Sequence, residues 1–240
     1  MVPEPKIAPL DRPEPLPPGS ELVDQPPVHL SRWFAAGEVL LVFAACQLYL
    51  WHRSRTNVPG VLLIFLFMVF SVALRRVGWQ GLGLSFRHGL GAGRWAAVGA
   101  AAAAVPIIVF GMANGRLGLL LPDAAAIARF AGYFAWCVVQ QFALQSYVHN
   151  RLLDAVARPH FTSAVVGLIF GSLHLPNPVL TAVTLTGGWA MGEVFARHRN
   201  IWLLALVQAV LGIAILVALP DAWHHRLRVG PGYFWWGVSR

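Results

Sequence analysis

The sequence predicts an all-α fold, a polytopic transmembrane helical bundle, and three observations carry that prediction. Hydrophobic residues fill 57% of the 240 positions and charged residues only 12%, against about 25% charged in an ordinary soluble domain. Apolar runs of about 18 residues or more recur along the chain, long enough for a helix to cross the hydrocarbon core. The arginines fall in short clusters between those runs, where the loops of a membrane protein carry them. These features exclude a soluble globular enzyme, and they exclude disorder for all but the ends.

The elements follow in order. Residues 1–31 contain nine prolines and five of the ten acidic residues, so residues 1–32 read as an extended, flexible polar tail. The tail lacks the basic start and apolar core of a cleaved signal, and the first span is expected to act as a signal anchor. About seven spans are expected after it, at 33–51, 57–74, 95–112, 124–149, 161–174, 178–197 and 201–219. Between the second and third, the segment Arg75–Arg94 carries Trp79, Leu82, Leu84 and Phe86 and is expected to lie in the membrane interface. The alanine-rich run 96–105 offers small side chains for close helix packing. The chain thus divides into the tail, N-terminal membrane helices with the interfacial segment (33–123), a membrane core (124–219) and an interfacial C-terminal tail (220–240). In that last part Tyr233, Phe234, Trp235 and Trp236 form an aromatic anchor.

The net charge of +8 does not indicate nucleic acid, because no basic stripe with interleaved aromatics lies outside the spans. The expected partner is membrane lipid. The tail and the loops 75–94, 150–160 and 197–200 hold eleven basic residues against six on the other side, which predicts a cytoplasmic amino terminus and the cytoplasmic membrane as the location. Cys46 and Cys137 both lie inside apolar runs without ligand spacing, so neither a disulfide framework nor a zinc site is expected. No glycine-rich loop ends in Gly-Lys-Ser/Thr, which argues against nucleotide use. A transporter is disfavoured by the odd span count and the shortage of mid-span charge.

Polar side chains inside the spans are costly, and they are usually paired or functional. Span four carries Gln140, Gln141 and Gln145, with the last two one helical turn apart. Span five ends at His174, followed by Pro176 and Pro178, which stop the helix and leave carbonyls near the imidazole. Span seven carries Gln208. All of these groups fall on the order of 10–20 Å below one membrane face. Taken singly, each is interhelical glue; their convergence at one depth points to a shared site. Glu38 lies near the start of span one and is expected to snorkel to water. Glu193 precedes Arg197 by four residues, a favourable ion pair on one helix face, and is also the nearest acid to His174 by sequence. His149 is expected to be solvated at the membrane edge, and His160 is expected in a loop without a partner.

From Gln140 onward the residues resemble the CPBP family of intramembrane endopeptidases, which includes the type II CAAX prenyl proteases. Gln140-Gln141, Gln145-Ser146 and Tyr147 occupy the frame of that family's first motif, where it has two glutamates and an arginine. Phe170 and His174 meet the second motif in full, and Gln208 stands where the third has a histidine. The resemblance implies a membrane peptidase acting on lipidated or membrane-embedded peptides. It also implies His174, Glu193, Gln140, Gln141 and Gln208 as the catalytic set, and Gln145, Phe170 and Tyr147 as binding residues. Glutamine neither accepts a proton near neutral pH nor makes a good divalent-metal ligand, so no metal or other cofactor is expected. Two outcomes stay open: catalysis through His174 with an acid from elsewhere, or a non-catalytic relative that binds a peptide as a scaffold or chaperone.

Overall fold

The computed structural model describes residues 31–52, 58–85, 89–116 and 124–235, all of them in helices, turns or connecting backbone and none in a strand. The helices are α1 (Arg32–His52), α2 (Val58–Leu74), α3 (Gly89–Ala113), α4 (Ala124–Gln141), α5 (Asn150–Val156), α6 (Pro159–Ser172), α7 (Pro178–His198), α8 (Ile201–Ala218), α9 (Asp221–His224) and α10 (Pro231–Phe234). A π-helical stretch, Phe142–His149, joins α4 to α5 without a break. The proline-rich tail falls outside the described residues apart from Ser31 and Arg32, as do Phe86 of the expected interfacial segment and Trp236 of the aromatic anchor.

Local chemistry explains several helix boundaries. The side chains of Asn177 and Asn200 accept from Leu180 N and Leu203 N at 3.1 Å, capping α7 and α8. Pro159 and Pro178 open α6 and α7 from the first turn, where a missing N–H costs nothing. Arg199 ends α7 with φ +45°. His174 therefore lies beyond the end of α6 in the turn that follows, not within the helix as the span assignment had it.

Among the described residues, four helices are long and apolar enough to cross a membrane by length and composition: Arg32–His52, Ala96–Ala113, Pro178–His198 and Ile201–Ala218. Seven spans are not reached on that measure. The apolar part of α2, Pro59–Leu74, is shorter, and α6 has 14 residues, about 21 Å of helix. Long-range contacts nevertheless define two ends. Arg75, Arg151 and Arg199 gather at one, where Asn150 and Arg199 meet the carbonyl of Gly81 at 3.0 Å. At the other, Gln47 reaches Ser172 O at 3.2 Å, and Arg116 meets Asp221 at 3.6 Å.

The Arg-rich end departs from expectation in two ways. The stretch Gly81–Leu84 does not lie passively at an interface. Its carbonyls accept from Ser146 Oγ, Ile201 N and Trp202 Nε1, so it plugs the end of the bundle. Gly83, at φ +70°, is required there, since a Cβ would meet the Phe195 ring at 2.6 Å. Glu38 does not snorkel. It is 8% exposed and binds the Arg75 guanidinium, Arg151 Nε at 3.2 Å and Ser71 Oγ at 2.6 Å. Asp154 flanks both arginines at 3.5 and 3.9 Å. Burial lowers the Arg151 pKa, neighbouring Arg75 lowers it further, and Glu38 opposes both. The network ties α1, α2 and α5 together.

The tightest packing is between α6 and α7. A Cβ on Gly167 would meet the Leu185 carbonyl oxygen at 2.5 Å, and one on Gly188 would meet Gly167 Cα at 3.1 Å. This is small-residue packing of the kind membrane helices use. It holds the turn bearing His174 rigidly against the start of α7.

Candidate functional site

The bundle holds a partly open cavity of about 580 Å³ with mostly apolar walls from α1, α2, α4, the π-helical stretch, α6, α7 and α8. Gln140, His174, Gln208 and Phe170 line it, together with Met191 and Gly187. The convergence expected from sequence is therefore realised for the amides of α4 and α8 and for the imidazole.

The amides form a chain. Gln141 Nε2 donates to Gln208 Oε1 at 2.7 Å and to Met191 Sδ at 3.2 Å, and Gln208 Nε2 donates to Gln140 Oε1 at 2.7 Å. Gln141 is fully buried behind this chain; Gln140 and Gln208 face the cavity. Three side chains that would repel one another as carboxylates are joined here by neutral donor–acceptor pairs.

His174 is positioned by its own helix end. Its Nδ1 lies 2.8 Å from Phe170 O, and a carbonyl only accepts, so Nδ1 carries the proton. The Phe170 ring meets the imidazole edge-on at 4.8 Å between centroids. Nε2 then holds the free lone pair, and it makes no hydrogen bond among the described residues. That nitrogen is the one good proton acceptor that the site's known residues present to the cavity.

Other expected site residues lie elsewhere. Glu193 Oε2 bonds His160 Nδ1 at 2.9 Å and Arg197 Nη2 at 3.3 Å. The pair with Arg197 is the one the spacing predicts, but His160 is in the first turn of α6 and His174 follows its last. Fourteen residues of helix separate them, about 20 Å, so neither a hydrogen bond nor a single water links Glu193 to His174. Tyr147 is fully buried beneath the Arg151 guanidinium, 5.2 Å from its ring, and Gln145 is fully buried too; neither lines the cavity.

The structure also shows residues that local spacing left out. His149 is wholly buried and not at the membrane edge, and its ring meets Phe195 edge-on at 5.5 Å. His160 has Glu193 as its partner. Leu227 and Val229, from the expected interfacial tail, line the far end of the cavity. Asn177 Nδ2 holds that segment by donating to His224 O at 2.7 Å and Arg228 O at 3.0 Å. An asparagine one residue before Pro178 signals a helix cap, and nothing in its spacing signals this second duty.

The donor set does not suit a divalent metal. One imidazole and three amides meet at the cavity, and no group of three His, Cys, Asp or Glu side chains able to hold a metal ion occurs among the described residues. No step of the chemistry is therefore routed through a metal.

Residues 125–214 match the family model described as type II CAAX prenyl endopeptidase Rce1-like. The match spans the amide chain and His174 but not Glu38, Arg75 or the C-terminal segment. No curated protein and no solved structure matches the chain.

Proposed function

We propose a function for a chain in which residues 125–214 match the Rce1-like type II CAAX prenyl endopeptidase model: it seats a lipidated or membrane-embedded peptide in its central cavity, and any hydrolysis it performs runs through His174 alone. The Arg-rich end faces the cytoplasm in this reading, following the excess of basic residues there. The observation that carries the proposal is that His174, Gln140 and Gln208 share one cavity with apolar walls. Apolar walls accept a lipid or side-chain stretch, and the few polar groups fix where a peptide carbonyl sits.

In this arrangement His174 Nε2 takes a proton from the attacking water, while an amide N–H of Gln140 or Gln208 is the donor available to a developing oxyanion. Donation to substrate requires the Gln141–Gln208–Gln140 chain to open. The test is cleavage of a prenylated peptide by the full chain reconstituted in lipid vesicles, read by mass spectrometry. Cleavage lost in His174→Ala, with photo-crosslinking of the peptide retained, supports the proposal. Equal cleavage in the variant removes His174 from it.

A second reading is favoured by the amide chain itself. Its members are joined to one another by two hydrogen bonds and leave no carboxylate at the cavity, which suits a binder that does not cut. It predicts crosslinking without cleavage in the unmodified protein. It also predicts that Gln140→Glu, Gln141→Glu and Gln208→His together create cleavage, because the exchanges keep the cavity's shape while restoring the groups of the resembled motifs.

A further inference from the structure

Behind the cavity wall runs a second line of polar groups, two of them in the frame of the first peptidase motif and none of them lining the cavity. Gln141, Gln145 and His149 follow one another at intervals of four along α4 and the π-helical stretch, and all three are fully buried. α7 flanks the line from end to end, Met191 against Gln141 at 3.2 Å and Phe195 against the His149 ring at 5.5 Å. Ser163 Oγ lies 3.5 Å from His149 Nε2, and Gly192, the residue before Glu193, packs on Ser163, where a Cβ would meet the serine Cβ at 3.0 Å. The line therefore starts at the amide chain and ends beside the Glu193–His160 pair, where His160 is 80% exposed.

Five polar atoms along it have no hydrogen-bond partner among the described residues: Gln141 Oε1, Gln145 Oε1, Gln145 Nε2, His149 Nδ1 and Glu193 Oε1. Buried polar atoms in native proteins are almost always bonded, to water where no protein group serves. Left dry, these five would together cost as much as the whole stability of an ordinary domain. Side chains one helical turn apart stand about 5–6 Å from each other, the span of two hydrogen bonds through one oxygen.

We propose that these groups hold a file of water molecules running from the Arg-rich end, past Glu193 and His149, along Gln145 to the amide chain at the cavity wall. The ligand class is water alone. The file itself stands on the buried atoms; its purpose rests on the peptidase reading, because hydrolysis consumes water and the cavity's own walls are mostly apolar. Glu193 thereby gains a place in the site's workings, at the outer mouth and not beside His174.

The experiment is radiolytic footprinting of the full chain in lipid nanodiscs. A short X-ray pulse turns waters into hydroxyl radicals where they stand, and oxidation is then mapped by mass spectrometry. Cys137 is the dry control: it is fully buried within an apolar cluster, and its thiol oxidises readily. Oxidation of buried His149 near the rate of exposed His160, with Cys137 protected, is expected. His149 as protected as Cys137 overturns the proposal, and this comparison needs no variant. Gln145→Leu then tests continuity. A several-fold fall in oxidation at Met191, with Met68 elsewhere on the cavity wall unchanged, is expected; undiminished Met191 labelling breaks the file at its inner end. Cleavage is scored separately on the same preparations, so a hydrated line in a protein that cuts nothing overturns the hydrolytic reading and leaves the water file standing.

Discussion

Gly187 and Gly167 separate what the cavity does from what holds the helices together. Gly187 lines the cavity, and a Cβ built on it meets no atom within 4 Å. Gly167 faces α7, where a Cβ would meet Leu185 O at 2.5 Å and Trp189 N at 2.9 Å, both backbone atoms that cannot swing aside. Gly187→Leu therefore places an isobutyl group in open space, whereas Gly167→Ala, the smallest change available, pushes two helices apart. Burying a leucine side chain is worth about 1.5–3 kcal/mol. A ligand displaced from the same volume loses contact of that order, about ten- to a hundred-fold in affinity. Overpacking at Gly167 costs about 1–3 kcal/mol, which lowers Tm by about 2–12 °C for a chain of this length. The assay is photo-crosslinking of a prenylated peptide to vesicle-reconstituted protein, with thermal unfolding measured on the same samples. Gly187→Leu should lose crosslinking at unchanged Tm, and Gly167→Ala should lose Tm first. A Gly187→Leu protein that crosslinks as well as the unmodified chain would refute the cavity as the peptide's seat.

Two further outcomes follow from the ends of the bundle. Glu38→Ala leaves Arg75 and Arg151 buried without their shared carboxylate, so it should destabilise the protein by about 3–5 kcal/mol in thermal or denaturant unfolding; a loss under about 1 kcal/mol would mean that Asp154 alone balances both arginines. Asn177→Ala removes the α7 cap and both bonds to the C-terminal segment, costing about 1–3 kcal/mol. It should also expose the chain near Arg226 to protease added on that side of the membrane, and unchanged proteolysis would show that Gly230 N to Leu175 O, at 2.9 Å, holds the segment unaided.

What the sequence made legible was chemistry that acts along the chain. The apolar runs became helices because burial in lipid and internal hydrogen bonding act on consecutive residues, and Asn177, Asn200, Pro159 and Pro178 marked ends through bonds made within a turn. Phe170 and His174 were legible for the same reason: a spacing of four brings a ring over a ring and an imidazole under its own helix carbonyl. Glu38 shows where this fails. Its arginine partners lie 37 and 113 residues away, so reading it alone suggested a side chain reaching for water, when folding supplies two cations and a hydroxyl. Glu193 failed differently, since distance in sequence from His174 said nothing of the full length of α6 between them. His149 was misplaced because the span was ended at the residue itself, whereas the helix continues to Val156 and carries it inside.

Amides where the resembled motifs carry carboxylates also change what kind of site the fold can keep. A pair of glutamates beside a histidine in an apolar cavity requires a proton or cation to hold the charges together. Gln140, Gln141 and Gln208 need neither, because an amide offers both a donor and an acceptor, and two bonds of 2.7 Å join the three in a line. These two bonds therefore require no metal and no particular protonation state of their members. His174 keeps the tautomer imposed by Phe170 O whether or not the amides move, so the one proton acceptor is held by backbone geometry while the hydrogen-bond donors are held by one another. In the proposed function, opening of the amide chain, not the ionisation of an acid, is the event that a bound peptide must drive, and the free energy of that opening comes from the apolar contacts the peptide makes with the rest of the cavity.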